Sequence, residues 1–527
     1  MKIMFTLFRC YKWLGCFSLL LFSLPLACAG ELKTLPGIFT TATAGEARFL
    51  LFLPEGSAFS PADIRVAGLP ASFAIRVLCT GAKGENCNAP PASDDLPLLM
   101  VKITVPAAAE AKIYPLEIAY QHAGMRYISH AQLDVRDKIT FVHPGVMLND
   151  AMSEHLQSQV QTGDPMINKA LKLAAQSQYG SKYYQPSPHR SVSADGHEAT
   201  DLRNDAIAAW TQALLWRITQ EKVYAENAIR IMDAWSATLA SEFTGSNRFN
   251  LAAWTGDLWP RAAEIIRYTC HNHQATPCWP EQDVERFRNM LNNYYARFLQ
   301  NGFFTSGQYG GNLIASQAAA LINIGVFNED PEIFLAGIEK WRRMLPAYIY
   351  MRQDGAIPAP PAFWRNSYIN RTHLLGPNGY WYGQDLAVNE VGHGGLSQET
   401  CRDLGHVLWG FSALANGSET ARIQGIDLHG ESTLGTPNSK RLAAAMEFNL
   451  ALLNSEGNSQ NIQVPEALCE GTIKRGQSTG KGEVLFNDLT QRREIVLPES
   501  SRYLAANRPT LASYFMVWET LTHFNNP

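Results

Sequence analysis

The sequence has no strong excess of charge of either sign. Its 44 Lys and Arg residues nearly balance its 48 Asp and Glu residues, which leaves a formal net charge of -4. Nucleic acid and acidic membrane surfaces attract basic proteins, so the bulk charge gives no reason to expect either partner. A polyanionic ligand would have to meet a local basic cleft instead. Hydrophobic residues make up 46% of the chain and charged residues 17%, values that exclude a disordered chain and a fibre.

The chain also lacks a low-complexity tract, a convincing internal repeat and, after residue 26, any apolar run that could span a bilayer. The apolar run at 13–26 follows a basic stretch and precedes the small-x-small sequence that ends at Ala29. This pattern predicts a signal peptide over 1–29, cut after Ala29, and therefore a periplasmic or extracellular protein. A retained membrane anchor and a lipoprotein attached through Cys28 are the alternatives, although Pro25 and Leu26 make a poor lipobox.

Cysteine is scarce, and three of the nine cysteines lie in the predicted signal peptide. The six that remain suit disulfides in an oxidising compartment. Cys79 with Cys87 and Cys270 with Cys278 would close short loops, and Cys401 with Cys469 would be a long-range link. Six cysteines allow many pairings, so the connectivity stays open. No CxxC spacing is present, and His271 and His273 beside Cys270 are a weak zinc signal, so we expect no metal site. The candidate disulfide cysteines are Cys79, Cys87, Cys270, Cys278, Cys401 and Cys469.

Two kinds of pattern divide the mature chain. Short apolar or alternating runs separated by Gly, Pro, Asn and Asp fill 30–138 and predict a β-sandwich domain. From about 141 to 457, apolar residues recur at spacings of three and four over wide helical faces. Successive amphipathic helices joined by loops are what an α/α toroid needs. We therefore predict a mainly α fold, an incomplete (α/α) toroid or barrel over 139–527 with an N-terminal β-sandwich domain.

Six blocks of the helical region occur in a distinctive order. They begin at His143-Pro144-Gly145 and continue with RNDAIAAWTQALLWRITQEKVYAENAIRIMDAWSATL, WTGDLWPRAAEIIR, GGNLIASQAAALINIGVFNEDPEIF, ETCRDLGHVLWGFSALANGSETARIQGIDLHG and Thr520-Leu521-Thr522-His523. In this order, over roughly 141–525, the blocks resemble the alginate-lyase domain family. The resemblance implies a metal-independent polysaccharide lyase that cleaves a uronic-acid polymer by β-elimination, with no cofactor and an anionic polysaccharide as its partner.

β-Elimination at a uronate needs three groups. One neutralises the C6 carboxylate so that the C5 proton becomes acidic, a base removes that proton, and an acid protonates the leaving oxygen. Asn312 follows Gly311 at the start of an apolar helix and corresponds to the family asparagine, which would contact the carboxylate. An ordinary N-cap is the alternative. The best-known alginate lyases have histidine after this asparagine, whereas Leu313 stands here, so the base cannot be carried over from that position.

Arg402 and His406 are four residues apart on one predicted helix and would share a face. Arg402 could bind the carboxylate in a bidentate fork, and His406 could be the base or a proton relay. The alternative is an arginine bridged to Asp403 or Glu399 beside a buried, satisfied histidine.

The tyrosine that the resemblance implies has several candidates. Tyr380 and Tyr382 lie on a long loop just before the Arg402 helix, and Tyr348 and Tyr350 are rivals. A phenol beside a cation can lose its proton more easily and serve as base and then acid. His393 on the same loop is another possible base.

Tryptophans in loop-like positions are candidates to line the sugar subsites, and arginines could supply the local positive field that the net charge lacks, with an ordinary solvated surface charge as the alternative for each arginine. The predicted substrate-binding residues are Trp254, Trp259, Trp381, Arg203 and Arg371. Trp210, Trp216 and Trp235 lie on periodic helices and are predicted to be core.

Two other functional classes remain open from the sequence. A glycoside hydrolase would need two carboxyl groups flanking the scissile bond, and Asp205, Asp257, Asp385, Glu390 and Glu399 are available for that role. A non-catalytic glycan-binding protein would keep the aromatic and basic residues without needing His406. The sequence leaves open the identity of the uronan, endo or exo action, and the oligomeric state.

Overall fold

The computed structural model describes residues 30–54, 60–79, 96–122, 124–271, 276–301, 311–355, 357–361, 368–384, 386, 394–455, 459–477 and 481–527. The predicted signal peptide, Cys87, Asp385, Glu390 and His393 lie outside these ranges. No helix within them has an apolar stretch sufficient to cross a bilayer.

Short strands form the N-terminal region. Their bounds are β1 Gly30–Glu31, β2 Lys33–Leu35, β3 Ile38–Ala42, β4 Glu46–Phe52, β5 Ile64–Ala67, β6 Ala74–Cys79, β7 Leu96–Thr104, β8 Lys112–His122 and β9 Met125–Arg136. One sheet has the order β1-β9-β8-β5, with β3 parallel to β9, and a second sheet contains β7-β4-β2, with β6 also on β7. Alternate side chains on β8, from Tyr114 to Tyr120, are buried, as a strand with one face on a core requires. They join residues of β4 and β7 in one hydrophobic cluster, so the two sheets form the predicted sandwich.

Helices follow from residue 150 onward. Their bounds are α1 Asp150–Thr162, α2 Pro165–Gln176, α3 Glu198–Thr219, α4 Lys222–Thr238, α5 Arg248–Thr269, α6 Glu281–Met290, α7 Arg297–Asn301, α8 Gly311–Phe327, α9 Pro331–Tyr348, α10 Arg371–Leu375, α11 Leu404–Ile423, α12 Asn438–Ser455, α13 Glu483–Asn487, α14 Pro498–Asn507 and α15 Glu519–His523. The remaining strands are β10 Ile349–Tyr350, β11 Tyr368–Ile369, β12 Leu396–Ser397, β13 Ser432–Thr433, β14 Thr436–Pro437, β15 Asn461–Gln463 and β16 Thr472–Lys474.

The helices form two layers. Four of them pack in the spatial order α3, α5, α8 and α11, while α4 and α9 pack outside α3 and α8. Every residue of α8 is buried, so this helix is enclosed on all sides, whereas α9 has a buried and a partly exposed face. The predicted mainly α fold, an incomplete α/α toroid preceded by a β-sandwich, is confirmed.

One strand pairing and two disulfides tie loops of the toroid to their surroundings. Strand β11, from the long segment after α9, pairs with β7 of the sandwich. Disulfides join Cys270 to Cys278 at the end of α5 and Cys401 to Cys469 just before α11, two of the pairings that the sequence allowed. Cys79 is also disulfide-bonded. The Cys401–Cys469 bond anchors the turn that leads into α11.

Candidate active site

A buried carboxylate gathers three residues from different parts of the chain. Glu399, 1% exposed, accepts hydrogen bonds from the backbone N–H of Asn312 at 3.2 Å and from its Nδ2 at 2.7 Å. It also accepts one from Nη1 of Arg402 at 2.7 Å and one from the hydroxyl of Tyr348 at 3.0 Å. Asn312 and Arg402, which were predicted to act together, therefore share one acceptor.

The local chain path explains this convergence. Tyr348 ends α9, and the pairing of β10 with β12 places Glu399 two residues beyond the ladder. A side chain in place of Gly311 would meet the Tyr348 ring at 2.6 Å, and one in place of Gly410 would collide with the Tyr348 hydroxyl. The two glycines thus make room for the tyrosine that holds Glu399.

The helix predicted to contain both Arg402 and His406 begins later than expected. Asp403 has extended backbone angles (φ -174°, ψ 154°) and is the N-cap of α11, accepting the His406 N–H at 2.9 Å. Arg402 therefore lies in the turn before the helix, and the prediction that the two residues share a helical face is wrong. Because the Asp403 side chain caps the first turn, the helix begins at Leu404 and does not extend back to Arg402.

Asp403 also holds the imidazole of His406. Its Oδ2 lies 2.6 Å from Nδ1, and the His406 side chain is 33% exposed. This arrangement leaves Nε2 as the ring nitrogen for a substrate, and no partner for Nε2 is found in the part of the chain that the structure describes. A carboxylate that orients a histidine through the other nitrogen is a common device for a general base.

The charges of the site follow from these contacts. Burial lowers the pKa of Arg402, but the charge of Glu399 and the nearby Tyr382 outweigh burial and raise it, so the guanidinium stays protonated. Burial raises the pKa of Asp403, but the hydrogen bond from His406 outweighs it and holds that pKa below its ordinary value. Burial and Glu399 raise the pKa of Tyr348 well above its ordinary value, so this phenol is a hydrogen-bond donor rather than a base.

An aromatic surface lies beside His406. Trp409, one turn further along α11, has its ring centroid 5.7 Å from that of His406, 5.2 Å from that of Trp254 and 4.5 Å from that of Tyr514. The Arg203 guanidinium lies 4.7 Å from the centroid of the Tyr514 ring. All five side chains are partly exposed. We call Arg203, Trp254, Trp409 and Tyr514 the aromatic wall.

The wall contains two unusual features. Tyr514 has a φ of +51°, a left-handed conformation that a bulky residue rarely adopts. Nε1 of Trp254 is buried without a hydrogen-bond partner among the described residues. Strain and an unsatisfied donor are both more common at functional sites than elsewhere.

Three predicted site residues need correction. Trp259 and Trp381 are fully buried, and Tyr380 is 1% exposed. Trp259 lies inside α5 and donates its Nε1 to the Tyr295 hydroxyl at 3.0 Å. Neither tryptophan has a face that a sugar ring could stack on, and burial raises the pKa of Tyr380 well above its ordinary value. These three side chains are core rather than direct substrate contacts.

Other predicted residues have different surroundings. Tyr382 is partly exposed, has a φ of +54°, and lies close enough to Arg402 to affect its pKa. Arg371 is partly exposed at the first residue of α10. His393 lies outside the described residues. The roles assigned to Tyr382 and Arg371 remain predictions.

Sequence reasoning missed part of this site. Trp409 could have been found, because it lies three residues after His406 and so on the same helical face. Asp403 was named only as an alternative ion-pair partner for Arg402. Tyr514 lies in an irregular C-terminal segment, far from the other site residues in sequence, and has no local motif.

The chain resembles known proteins in part. A family model described as alginate lyase matches residues 150–360, and no curated protein matches the chain in sequence. Alginate lyase A1-III from Sphingomonas species A1 is 16% identical, with a TM-score of 0.48 over 72% of this chain and 97% of that one. An alginate lyase from Bacteroides ovatus is 9% identical, with a TM-score of 0.43 over 72% and 99%. A family 76 glycoside hydrolase from a bovine Bacteroides thetaiotaomicron strain is 11% identical, with a TM-score of 0.29 over 94% and 98%.

Proposed function

We propose that this chain is a member of the alginate-lyase family, whose model matches residues 150–360, and that it is an exported enzyme that cleaves an alginate-like uronan by β-elimination. In this reaction the C5 proton of a uronate leaves as a base takes it. The C4–O bond then breaks, a double bond forms between C4 and C5, and the leaving oxygen gains a proton. The observation that best supports this proposal is the cluster around Glu399 beside the Asp403–His406 pair.

We assign Arg402 to the uronate carboxylate. Only Nη1 of Arg402 is engaged by Glu399, and the side chain is 29% exposed, so further N–H groups can reach a ligand. A guanidinium that binds a carboxylate in a fork stabilises the enolate-like charge that develops when the C5 proton leaves. Asn312, the predicted carboxylate contact, is 2% exposed and donates both its backbone N–H and its Nδ2 to Glu399, so we assign it to holding Glu399 in place rather than to direct contact with the uronate.

We assign His406 as the base that removes the C5 proton. Ionised Asp403 at Nδ1 favours the neutral tautomer whose lone pair is on Nε2, and it stabilises the imidazolium that forms. Tyr382 is the proposed acid for the leaving oxygen. Of the two loop tyrosines predicted for this role, it is the partly exposed one and lies near Arg402.

The aromatic wall supports a polymeric sugar as the substrate. Partly exposed indole and phenol rings offer flat apolar faces to pyranose rings, and Arg203 adds positive charge to a protein whose net charge is -4. The predicted signal peptide supports export, because an extracellular polysaccharide is met outside the cytoplasm.

The test is the ultraviolet absorbance of the unsaturated uronate product. The mature protein is mixed with alginate, polymannuronate, polyguluronate and glucuronan, in parallel with His406→Ala and the matched control His130→Ala, which changes an exposed histidine of β9. We expect a rise with at least one uronan, a loss of about 10²–10⁴-fold in rate for His406→Ala, and no loss for the control.

The other outcomes separate the alternatives. A rise that survives in His406→Ala would contradict the assignment of the base, and Tyr382→Phe and Tyr514→Phe would then identify the tyrosine involved. New reducing ends without absorbance would indicate a hydrolase. Binding without either signal would indicate a glycan-binding protein.

A further inference from the structure

A cluster of two histidines and an aspartate lies at the start of α3, and the proposed elimination uses none of its residues. Nε2 of His189 is 2.8 Å from Oδ2 of Asp201. The ring of His197 lies edge-on to that of His189, with centroids 5.5 Å apart. One ligand atom from each of the three side chains can be chosen such that all three lie within 4.8 Å of one another. We propose that His189, His197 and Asp201 bind a divalent transition-metal ion of the zinc class.

The donor set suits such an ion. Two imidazole nitrogens and one carboxylate oxygen are ligands that Zn²⁺ accepts at about 2.0–2.2 Å, with a fourth position left to water. Ligand atoms in a tetrahedral site of that size lie roughly 3.3 Å apart. His189 and Asp201 would separate slightly to admit the ion. His197 is 78% exposed, so it can turn towards the ion at little cost.

The backbone around the cluster is already ordered by hydrogen bonds. The segment before α3 runs parallel to the loop before α5, with Ala194 N–H donating to the Thr244 carbonyl at 2.9 Å and Thr244 N–H donating to the Val192 carbonyl at 3.1 Å. Asp195 accepts two further hydrogen bonds from Ser246. The segment that connects His189 to α3 is thus ordered before any ion binds, which lowers the entropic cost of forming the site.

A second carboxylate supports the assignment. Oε1 of Glu198 lies 3.7 Å from Nδ1 of His197, and its Oε2 is buried with no hydrogen-bond partner among the described residues. A carboxylate beside the outer nitrogen of a histidine ligand adds negative potential for a cation, and it is near enough to accept that N–H once the ring has turned towards the ion. His197 is the N-cap of α3 but makes no side-chain capping bond, so its imidazole has no such structural duty.

The sequence pattern explains why this site was not predicted. Without CxxC, only the histidines beside Cys270 stood out as zinc ligands. His197 and Asp201 have a spacing of four on the first turn of a helix, and His189 joins them from an irregular segment. The ion would fasten this segment to α3, which also bears Arg203 of the aromatic wall.

The test is calorimetric titration of tag-free, chelator-treated mature protein with Zn²⁺. We expect saturable binding of one equivalent in the parent protein and in the control His130→Ala. His189→Ala and His197→Ala should weaken that binding by at least about 10-fold, because even outer partners of metal ligands change affinity by 10–100-fold. His197→Ala is the safer variant, because the side chain is exposed and caps nothing.

Two further readouts make the result decisive. Zn²⁺ should raise the melting temperature of the parent protein but not that of the variants, and Co²⁺ should give the intense visible absorption of four-fold coordination. Absence of saturable Zn²⁺ binding, binding that is unchanged in both variants, or preferential binding of Ca²⁺ would each overturn the proposal and leave a hydrogen-bonded cluster only.

Discussion

Two buried carboxylates of this protein each pair with an arginine, but one pair is closed and the other is open. Asp354 and Arg441 are both 0% exposed and meet in a two-pronged pair at 2.6 and 2.7 Å. The same guanidinium donates to the carbonyls of Ile349 at 2.8 Å and Thr433 at 3.1 Å. Glu399 is as deeply buried, yet its partner Arg402 is 29% exposed and reaches it through Nη1 alone.

The difference indicates what each pair does. Arg441 makes four hydrogen bonds to protein acceptors and joins α12 to the segments around β10 and β13, so this pair stabilises the fold. Arg402 is held by Glu399 through one nitrogen, and its side chain is 29% exposed. A buried acceptor that orients an exposed donor is an arrangement that preorganises a binding site.

The largest effect should come from breaking the closed pair. Arg441→Met leaves Asp354 buried and charged without its partner, so we expect a loss of about 3–5 kcal/mol in the free energy of unfolding, measured by urea denaturation. Arg126→Met, which changes a half-exposed pair on the sandwich, is the control and should change stability little. The double change Asp354→Asn with Arg441→Met should recover part of the loss. An Arg441→Met variant as stable as the parent would contradict the structural role assigned to the Asp354–Arg441 pair.

The next largest effect should arise at the open site, in Asp403→Asn. Asparagine caps a helix as well as aspartate does, so the unfolding free energy should change little. However, an amide cannot stabilise the imidazolium of His406, and we expect kcat to fall by about 10²-fold or more. The pKa of Asp403 is held low, so in the parent enzyme this carboxylate stays charged throughout the neutral range. A variant with normal kcat would remove Asp403 from the mechanism.

A third buried carboxylate, that of Glu519, should make the free energy of unfolding depend on pH. Burial raises the pKa of Glu519 from 4.5 to about 7, and the charge of nearby Glu483 adds to the rise. The folded state therefore favours the protonated form. The contribution of Glu519 to stability is fully present below about pH 4.5, falls as pH rises towards 7, and is constant above that. Urea denaturation of the parent and of Glu519→Gln should show a stability difference that changes across this window. A constant difference would show that Glu519 does not titrate there.

The smallest effect should come from the aromatic wall. Trp409→Ala removes a ring that packs against Trp254 and Tyr514 beside His406, and we expect KM for the best uronan to rise about ten-fold, equivalent to about 1.4 kcal/mol. The KM of Trp409→Phe should lie between those of the parent protein and of Trp409→Ala, because phenylalanine retains a flat face. An unchanged KM would mean that sugars bind elsewhere.

Much of the fold could be predicted because its signals are local. The N-terminal strands expected from alternating runs and the helices expected from apolar periodicity are both present. Trp210, Trp216 and Trp235 are buried in the core as predicted. Trp259 was predicted to lie in a loop-like position, but it lies inside α5 next to Pro260, which the helix accommodates. The helices α13 to α15 near the C-terminus gave no such signal, since they are short and stabilised by tertiary packing rather than by their own periodicity.

The site was harder to predict than the fold. Asn312, Arg402 and His406 could be named from the ordered blocks, but their arrangement depends on Glu399, which receives contacts from three separate segments. No sequence pattern gives such a long-range convergence. The capping role of Asp403 could have been anticipated, because aspartate just before an apolar helical run is a start signal.

The open and closed pairs can be compared in one experiment on the two arginines. Arg402→Met and Arg441→Met are assayed for the rate at which unsaturated uronate forms and for the free energy of unfolding. We predict that Arg402→Met loses most of its lyase activity but less stability than Arg441→Met, because Glu399 keeps its bonds from Asn312 and Tyr348. Arg441→Met should lose stability and retain activity in the molecules that remain folded. An Arg402→Met variant with parental lyase activity would contradict the proposed site.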